Sequence, residues 1–249
     1  MEQSNKTVLI TGGASGMGFR LGECYAREGA NVVLADINQE ALDACVNEIR
    51  AYHENVIGVK VDVRNYTEVV AARDAAVERF GTIDVLINCA GGAETRILGA
   101  TGIFYENPIE IYDFGIDLNL KGAMYFDHAV MQQMVKQNSG VIIHLGSITG
   151  EEGSEHSVAY AAAKSALMTG VTKSIAQAGA EHNIRCVCIA PGPVMTRPAM
   201  KGMKTLMGRA AEVQEIVDMI MYAASEKCAF LNGVHILMDG GRSVMFNKR

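Results

Sequence analysis

Short apolar runs rich in β-branched residues alternate along the chain with longer segments in which apolar positions recur every three to four residues. The short runs have the composition of buried strands, and the longer segments have the period of amphipathic helices. Because strands separated by helices pair in parallel, the pattern predicts a doubly wound α/β sheet with helices on both faces. Seven strands are predicted, at residues 7–11, 31–36, 56–63, 85–88, 141–145, 184–190 and 234–238.

The helical periods and their end signals divide the rest of the chain. Two predicted helices are followed directly by a glycine, Gly29 and Gly81, as is common at helix C-termini. Helices are predicted at residues 19–28, 39–52, 66–80, 109–137, 158–180 and 210–225. No linker, repeat or low-complexity segment interrupts the series, so residues 1–249 are interpreted as one domain.

The first strand leads into a glycine-rich turn, Gly12-Gly13-Ala14-Ser15-Gly16-Met17-Gly18, and this turn leads into the first helix. Glycines let the backbone turn tightly and approach a ligand closely. The helix N-terminus offers free N–H groups and a favourable dipole to an anion. A strand, a glycine turn and a helix in this order predict the pyrophosphate site of a dinucleotide.

Polar residues lie at the ends of three of the predicted strands. Asp36 ends the second strand, Asp62 lies at the end of the third, and Asn88 ends the fourth. The carboxyl ends of parallel strands lie along one edge of the sheet, where ligands bind. An acid at Asp36 can accept hydrogen bonds from the adenosine ribose and repels a 2′-phosphate. NAD is therefore predicted as the cofactor in preference to NADP.

Composition and charge narrow the classes of function. The chain is 49% hydrophobic and 20% charged, and its net charge of −6 without a basic run disfavours a nucleic-acid partner. No apolar stretch approaches the roughly 20 residues that span a bilayer, and the polar N-terminus does not resemble a signal peptide. A cytoplasmic location without a membrane partner is expected. The six cysteines lack the spacing of a zinc site and are interpreted as free thiols, with no metal.

A tyrosine and a lysine stand four positions apart in the predicted helix 158–180, at Tyr160 and Lys164, with three alanines between them. This spacing places the two side chains on one helix face, a turn apart. A free phenol has a pKa of about 10, and a cation nearby favours its phenolate form. The pair is therefore a candidate acid/base.

Combined with these features, a series of motifs resembles the short-chain dehydrogenase/reductase family over essentially the whole chain. In chain order the motifs are Thr11-Gly12-x-x-x-Gly16-Met17-Gly18, Asp62-Val63, Asn88-x-Ala90-Gly91, Asn119, Ser147, Tyr160-x-x-x-Lys164, Pro191-Gly192 and Asp239-Gly240-Gly241. Cys89 and Val187 depart from the family pattern, which usually has asparagine at both positions, and are interpreted as structural variation. The resemblance implies a Rossmann fold and an enzyme that interconverts a secondary alcohol and a ketone.

The resemblance also implies roles for individual residues. Tyr160 would exchange a proton with the substrate oxygen, and Lys164 would favour the phenolate and hold the nicotinamide ribose. Ser147 would hydrogen-bond the substrate oxygen, and Asn119 would anchor a water in a proton relay. The residues expected to contact the cofactor are Gly12, Ser15, Gly16, Met17, Gly18, Asp36, Asp62, Val63, Asn88, Ala90, Gly91, Tyr160, Lys164, Pro191, Gly192 and Val194.

Three segments are expected to wall the substrate pocket: the loop after Gly91, the loop between Ser147 and Tyr160, and the stretch after Pro193. The charged residues of the first two are Glu94, Arg96, Glu151, Glu152, Glu155 and His156. These groups would suit a polyol, a sugar or a sugar acid, whose carboxylate Arg96 could bind as a fork. Arg96, Ser147, His156 and Tyr160 are the predicted substrate contacts. The loop before Pro108 and the Asn119 region are similar to sugar-acid dehydrogenases of the mannonate type.

The stretch after Pro193 suggests a different substrate. It contributes Met195, Met200, Met203 and Met207. Flexible thioethers adapt to apolar ligands, which keeps a 3-oxoacyl or hydroxysteroid reductase as the alternative. A regulatory module that senses NAD is the non-enzyme alternative, although such a module should lack one of Ser147, Tyr160 and Lys164.

The helical segments 109–137 and 158–180 carry apolar or small residues on more than one face. Such helices can pack on a partner as well as on their own sheet. Members of the resembled family commonly associate through these helices. A homo-oligomer, either a dimer or a tetramer, is therefore expected.

Overall fold

The computed structural model describes residues 4–246, and in this part of the chain a seven-stranded sheet has the order β3-β2-β1-β4-β5-β6-β7. Every pair of neighbouring strands is parallel. The strands are β1 (Thr7–Thr11), β2 (Asn31–Asp36), β3 (Val56–Lys60), β4 (Val85–Asn88), β5 (Gly140–Leu145), β6 (Ile184–Pro191) and β7 (Val234–Met238). The predicted doubly wound fold is confirmed.

Helices connect these strands and cover both faces of the sheet. They are α1 (Gly16–Arg27), α2 (Gln39–Arg50), α3 (Tyr66–Phe80), α4 (Glu94–Ile97), α5 (Ile109–Ile116), α6 (Gly122–Gln137), α7 (Thr149–Glu152), α8 (Val158–Ala166), α9 (Thr172–Gly179) and α10 (Val213–Ala224). Short 3₁₀ turns occur at Phe104–Glu106, Ala180–His182, Pro198–Gly202, Glu226–Cys228 and Arg242–Val244. Among the described helices, none has both the length and the apolarity that crossing a membrane requires.

The central strands are apolar on both faces because both faces are covered. In β1, Val8 and Ile10 pack into one core layer, whereas Leu9 packs into the layer on the opposite face, and all three are fully buried. Buried parallel strands therefore read as continuous apolar runs rather than as alternating ones. This explains why the strand signal in the sequence is strong.

The order of the strands creates a crevice at one edge of the sheet. The chain runs outward from β1 to β3 and then returns to place β4 on the other side of β1. Thr11 and Asn88 are paired at the carboxyl ends of β1 and β4, so these ends are level. A reversal of this kind leaves a crevice outside the strand ends, which is where open α/β sheets bind ligands.

Several predicted elements differ from the structure in their bounds or in their helix type. The strand predicted to reach Val63 ends at Lys60, so Asp62 and Val63 lie in the following turn. The last predicted helix begins three residues late, at Val213. The two long predicted helices each contain a π-helical turn, Asp117–Lys121 and Leu167–Val171, which sequence periodicity does not distinguish from α-helix.

A buried polar network lies behind β4 and β5. Asn88 Nδ2 donates to Asp127 Oδ1 at 2.8 Å, and the other Asp127 oxygen lies 2.9 Å from His144 Nε2. The Thr172 hydroxyl donates to the Leu167 carbonyl, so it accepts the proton of His144 Nδ1. Burial lowers the pKa of His144, whereas the Asp127 carboxylate and Cys186 raise it. The net result is a pKa well above the usual value of a histidine. The contacts of this network thus favour the protonated form of the buried His144.

Candidate active site

The glycine turn after β1 is packed too tightly for other side chains. A Cβ on Gly18 would lie 2.2 Å from the Gly12 carbonyl oxygen, and one on Gly12 would lie 2.9 Å from the Ala90 backbone. Gly12 also has a φ of +65°, which favours glycine. By contrast, a Cβ on Gly16 would meet open space. The turn is therefore compact on its inner side and open at the start of α1.

The N-terminus of α1 is available to an anion. Ser15 occupies the cap position, but its side chain makes no capping hydrogen bond to the helix. The first N–H groups of a helix then have no intrahelical partner and favour negative charge. Together with Gly16 and Met17 in the first turn, this arrangement fits the pyrophosphate of a dinucleotide.

Asp36 connects the end of β2 to the glycine turn. Its Oδ2 accepts the N–H of Ala14 at 3.1 Å, and its Oδ1 accepts the N–H of Asn38 at 3.0 Å. The carboxylate is thereby fixed beside the turn. A fixed acid at this position suits the two hydroxyls of a ribose.

The other predicted cofactor residues follow β3 and β4. Asp62 binds Arg64 through its carboxylate, and this hydrogen bond holds the pKa of Asp62 below its usual range. Asn88 is 4% exposed and directs its amide into the core toward Asp127, so its side chain lies away from the crevice. The N–H of Ala90 donates to the Thr11 hydroxyl at 3.0 Å, which joins the ends of β4 and β1.

A cavity of about 330 Å³ lies next to the glycine turn and contains three of the predicted catalytic residues. Ser147, Tyr160 and Lys164 all line it, as do Met17, Gly91, Pro191, Gly192 and Val194. The cavity also includes Cys89, but burial raises the pKa of the Cys89 thiol to about 12. This thiol is uncharged at neutral pH and is a poor nucleophile.

The side chain of Lys164 is held in a fixed position below Tyr160. Its Nζ donates to the Leu145 carbonyl at 2.6 Å, and it lies 5.5 Å from the centroid of the Tyr160 ring. Lys164 is only 3% exposed. The buried ammonium is thus held beside the Tyr160 ring. Ser147 Oγ accepts the N–H of Thr149 at 3.1 Å, which leaves its hydroxyl proton free to donate.

Asn119 lies in the π-helical turn between α5 and α6 and binds the loop after β4. Its Oδ1 accepts the N–H of Gly92 at 2.8 Å, and its Nδ2 donates to the carbonyls of Gly92 and Gly115. The side chain therefore fixes the loop that passes beside Lys164, where a Cβ on Gly91 would lie 3.7 Å from Nζ. The predicted water relay through Asn119 stays a prediction.

Glu94 has a role that the sequence did not reveal. Its two carboxylate oxygens accept the N–H groups of Ala159 and Tyr160, each at 3.0 Å, and the residue is fully buried. It thus caps the N-terminus of α8, the helix that carries Tyr160 and Lys164. Interpreting Glu94 as a charged residue of the pocket wall was wrong. No local pattern identifies the cap, because the bonded residues are 65 and 66 positions away.

The other predicted acids also lie outside the cavity. Glu151 pairs with His235 at 3.4 Å, and Glu152 pairs with Arg242 at 3.1 Å. The predicted substrate contact His156 is not brought to the cavity either, since its Nδ1 lies 3.0 Å from the Gly102 carbonyl oxygen. Glu151, Glu152 and His156 thus contact other parts of the chain and do not line the cavity.

The cavity wall that faces Ser147 and Tyr160 combines cationic and apolar groups. Arg96 lines it as predicted, and Arg197 joins it from the stretch after Pro193. Met200 and Met203 line the same cavity, whereas Met207 lines a separate one. The burial of Arg96 and the nearby charge of Arg197 both lower the pKa of Arg96.

Comparisons with known proteins agree with this geometry. The family model of the short chain dehydrogenases matches residues 6–206. The trans-4-hydroxycyclohexanecarboxylate dehydrogenase of Sinomonas cyclohexanicum is 36% identical over 99% of this chain and 96% of its own length. The 3beta-hydroxysteroid dehydrogenase 2 of Eggerthella lenta is 34% identical over 96% of this chain and 95% of its own.

A solved structure titled as NAD+-bound xylitol dehydrogenase superposes with a TM-score of 0.87 at 26% identity. The match covers 97% of this chain and 100% of that one. The similarity therefore extends over the whole sheet and its helices.

Proposed function

The chain belongs to the short-chain dehydrogenase/reductase family of oxidoreductases, which act on alcohol groups, and we propose that it interconverts a secondary alcohol and a ketone with NAD. One observation carries the proposal. Ser147, Tyr160 and Lys164 line a single cavity beside the glycine turn of a dinucleotide crevice. A sensing module does not need these three side chains together, so their presence favours the enzyme.

The residues divide the chemistry between them. When bound, NAD supplies the acceptor for the hydride that leaves the alcohol carbon. The phenolate of Tyr160 takes the hydroxyl proton as the C–H bond breaks, and the two electrons of the O–H bond complete the new C=O bond. The Ser147 hydroxyl stabilises the charge that develops on that oxygen. Lys164, held by the Leu145 carbonyl, places a positive charge beside the Tyr160 ring during the proton transfer.

NAD is proposed in preference to NADP because of the position of Asp36. Its carboxylate is bound to the N–H groups of Ala14 and Asn38 and cannot turn away easily. A 2′-phosphate would approach this fixed negative charge, whereas the ribose hydroxyls of NAD can donate hydrogen bonds to it. The xylitol dehydrogenase structure that superposes on this chain has NAD+ bound, which supports the choice of NAD.

A polyol, a sugar or a sugar acid is the proposed substrate class, and an apolar alcohol such as a hydroxysteroid or a 3-oxoacyl group is the alternative. Similar proteins are named for both kinds of substrate, since one solved structure is a dehydrogenase of the polyol xylitol and one relative is named for a hydroxysteroid. Arg96 and Arg197 in the cavity support a polar substrate. Met200 and Met203 support an apolar portion.

We propose a homo-oligomer because the chain has an exposed apolar face. The side chains that form it come from α6, α9 and the turn before α9, namely Met124, Met131, Val135, Val171, Ile175 and Ala178. Exposed apolar patches of this extent on a water-soluble protein mark interaction surfaces. Helix faces of one chain pair naturally with the same faces of a second copy under two-fold symmetry.

The proposed function is tested by following NADH formation with a panel of alcohols. The panel contains xylitol, gluconate, 4-hydroxycyclohexanecarboxylate, a 3β-hydroxysteroid and a 3-hydroxyacyl thioester. We expect oxidation of at least one polar member with NAD, and slower oxidation with NADP. Tight binding of NAD without turnover of any member would favour a sensing module instead.

A further inference from the structure

We propose that the substrate carries a carboxylate and that Arg96 and Arg197 bind it together. The inference rests on the proposed function, because it places the reacting alcohol between Ser147 and Tyr160. Both arginines line the same cavity as these two residues, although they come from segments about a hundred positions apart in the chain. The fold thus brings two guanidinium groups to one binding site.

Within residues 4–246, no hydrogen bond or ion pair engages the head group of Arg96 or of Arg197. The two positive charges are close enough that Arg197 disfavours the charge on Arg96, in addition to the effect of burial. Like charges gathered in a cleft without a counter-ion are destabilising, and a bound anion removes that cost.

The acids of the surrounding loops do not supply that counter-ion. Glu94 is bound to the N-terminus of α8, Glu151 to His235, and Glu152 to Arg242. Among the described residues that line the cavity, none is an aspartate or a glutamate. In a chain with a net charge of −6, a cationic, acid-free cavity is a local feature rather than a consequence of composition.

Glu94 also fixes where the carboxylate lies relative to the reacting group. It belongs to α4, the same four-residue helix as Arg96, and its carboxylate is bonded to the backbone N–H of Tyr160. Arg96 and Tyr160 are therefore connected through Glu94, which lies on the helix of the first and is hydrogen-bonded to the backbone of the second. A site built in this way recognises a substrate in which the alcohol and the carboxylate are separated by a defined distance.

Apolar groups line the space between these two ends. Val194, Met200 and Met203 are part of the cavity wall and offer no hydrogen-bond donor or charge from their side chains. Together with the arginine pair they suit a hydrocarbon frame that carries a hydroxyl at one end and a carboxylate at the other. Neutral polyols and steroids lack the anionic end and would leave the arginines without a partner.

The test compares an acid with its neutral analogue. The probes are 4-hydroxycyclohexanecarboxylate and 4-hydroxycyclohexanecarboxamide, which differ in charge but have nearly the same shape. A charge-assisted hydrogen bond contributes about 1.5–3 kcal/mol, which corresponds to roughly 10- to 150-fold in kcat/KM. We expect the wild-type enzyme to prefer the acid within this range. Equal kcat/KM for acid and amide would overturn the inference.

Variants then assign the preference to the arginines. We expect Arg96→Gln and Arg197→Gln each to lower kcat/KM for the acid by about 10-fold or more, mainly through KM, and to leave the amide nearly unchanged. Lys201→Gln is the matched control, because Lys201 is an exposed cation on the same segment as Arg197 but does not line the cavity. An equal loss for acid and amide, or an equal loss in Lys201→Gln, would contradict the assignment.

A binding measurement keeps the test independent of turnover. Cyclohexanecarboxylate, cyclohexanecarboxamide and cyclohexyl phosphate are titrated into the enzyme saturated with NAD, by calorimetry. We expect the carboxylate to bind more tightly than the amide, and the difference to disappear in Arg96→Gln. If the carboxylate binds more tightly than the amide but no alcohol is oxidised, the proposed function is wrong and the arginine site stands. If the carboxylate and the amide bind equally, the arginine site is rejected.

Two further outcomes of the calorimetry count against a carboxylate. Tighter binding of cyclohexyl phosphate by about 10-fold or more would assign the arginines to a phosphate group. Weaker binding of NAD itself in the Arg96→Gln and Arg197→Gln enzymes would assign them to the cofactor. Unchanged affinity for NAD in both variants is the result that we expect.

Discussion

At the scale of single residues, the proposed preference for NAD rests on the fixed carboxylate of Asp36. Its oxygens are each bound by a backbone N–H, from Ala14 and from Asn38. Both hydrogen bonds hold the carboxylate beside the glycine turn. A change of the Asp36 rotamer would move the charge away but would break these two bonds. The preference for NAD should therefore depend on the charge of this group more than on its shape.

The substitution Asp36→Asn tests this dependence. The amide keeps an oxygen that can accept the Ala14 N–H, but it removes the negative charge that opposes a 2′-phosphate. Because a like-charge contact costs several kcal/mol, we expect the ratio of kcat/KM for NADP to that for NAD to rise by about 10-fold or more. The measurement is steady-state kinetics with both cofactors. An unchanged ratio would show that Asp36 does not select the cofactor.

The local pattern of the sequence predicted that Asp36 ends a strand and that Tyr160 and Lys164 share a helix face, whereas the family resemblance supplied Ser147. Strand ends, glycine turns and helix faces are local features, and parallel strands then bring them to one edge. The sequence did not reveal Arg197 as a cavity residue, nor that His156 faces Gly102. Such contacts depend on how surface loops pack, and no local pattern encodes that.

At the scale of elements, the catalytic helix α8 is positioned by a residue outside it. Ser157 makes no side-chain cap to this helix, and the buried carboxylate of Glu94 binds its first free N–H groups instead. A carboxylate at a helix N-terminus also interacts favourably with the helix dipole. The geometry of Tyr160 therefore depends on the short helix α4.

Glu94→Gln should destabilise the protein and impair catalysis. The amide retains one acceptor oxygen but turns an NH₂ group toward the second N–H, which loses one charged hydrogen bond at a cost of about 1–2 kcal/mol. For a chain of this size, we expect Tm to fall by about 2–8 °C. Calorimetry measures Tm, and steady-state kinetics measure kcat with a substrate that the wild-type enzyme oxidises.

The matched control for this change is Glu110→Gln, an exposed acid in the first turn of α5. Surface substitutions of this kind usually change stability by less than about 0.5 kcal/mol. A melting temperature for Glu94→Gln that equals that of Glu110→Gln would refute the capping role.

Most elements were predictable because their apolar periods and end residues agree. Residues 66–80 were predicted as a helix with the bounds that the structure has, and Gly81 marked its end in the sequence. In the structure, the Asn65 side chain caps its start. Boundaries failed where no such residue marks them. The π-helical turn at Asp117–Lys121 is one example, and there the side chain of Asn119 bonds to the Gly115 carbonyl within the helix.

At the scale of the whole molecule, the apolar face on α6 and α9 remains exposed in the single chain. Met124 is 46% exposed and Val135 is 37% exposed, both on α6. Burying such side chains against a second copy contributes about 25 cal/mol per Å² of apolar surface. In this face, α6 packs on β4 and β5 and α9 on β6 and β7, and none of its residues lines the cavity that contains Arg197.

The double substitution Met124→Lys with Val135→Lys should weaken assembly. Both side chains are exposed in the single chain, so the fold tolerates the lysines, but charges brought together with their symmetry mates oppose association. We expect a smaller species in sedimentation velocity than for the wild-type protein. Tyr52→Lys, a comparably exposed position at 47%, is the control that should leave the mass unchanged. A wild-type protein that sediments as a monomer would rule out the proposed interface.

The most direct test of the account concerns Tyr160, because the whole crevice is interpreted around its proton transfer. Tyr160→Phe removes one oxygen and leaves the ring, the helix cap and the Lys164 contact to Leu145 in place. The measurement is single-turnover NADH formation from the best substrate of the panel, with NAD affinity determined on the same enzyme. We predict a rate lower by about 10²- to 10⁴-fold with nearly unchanged NAD affinity. A phenylalanine variant that forms NADH at the wild-type rate would contradict the assignment of Tyr160 as the acid/base.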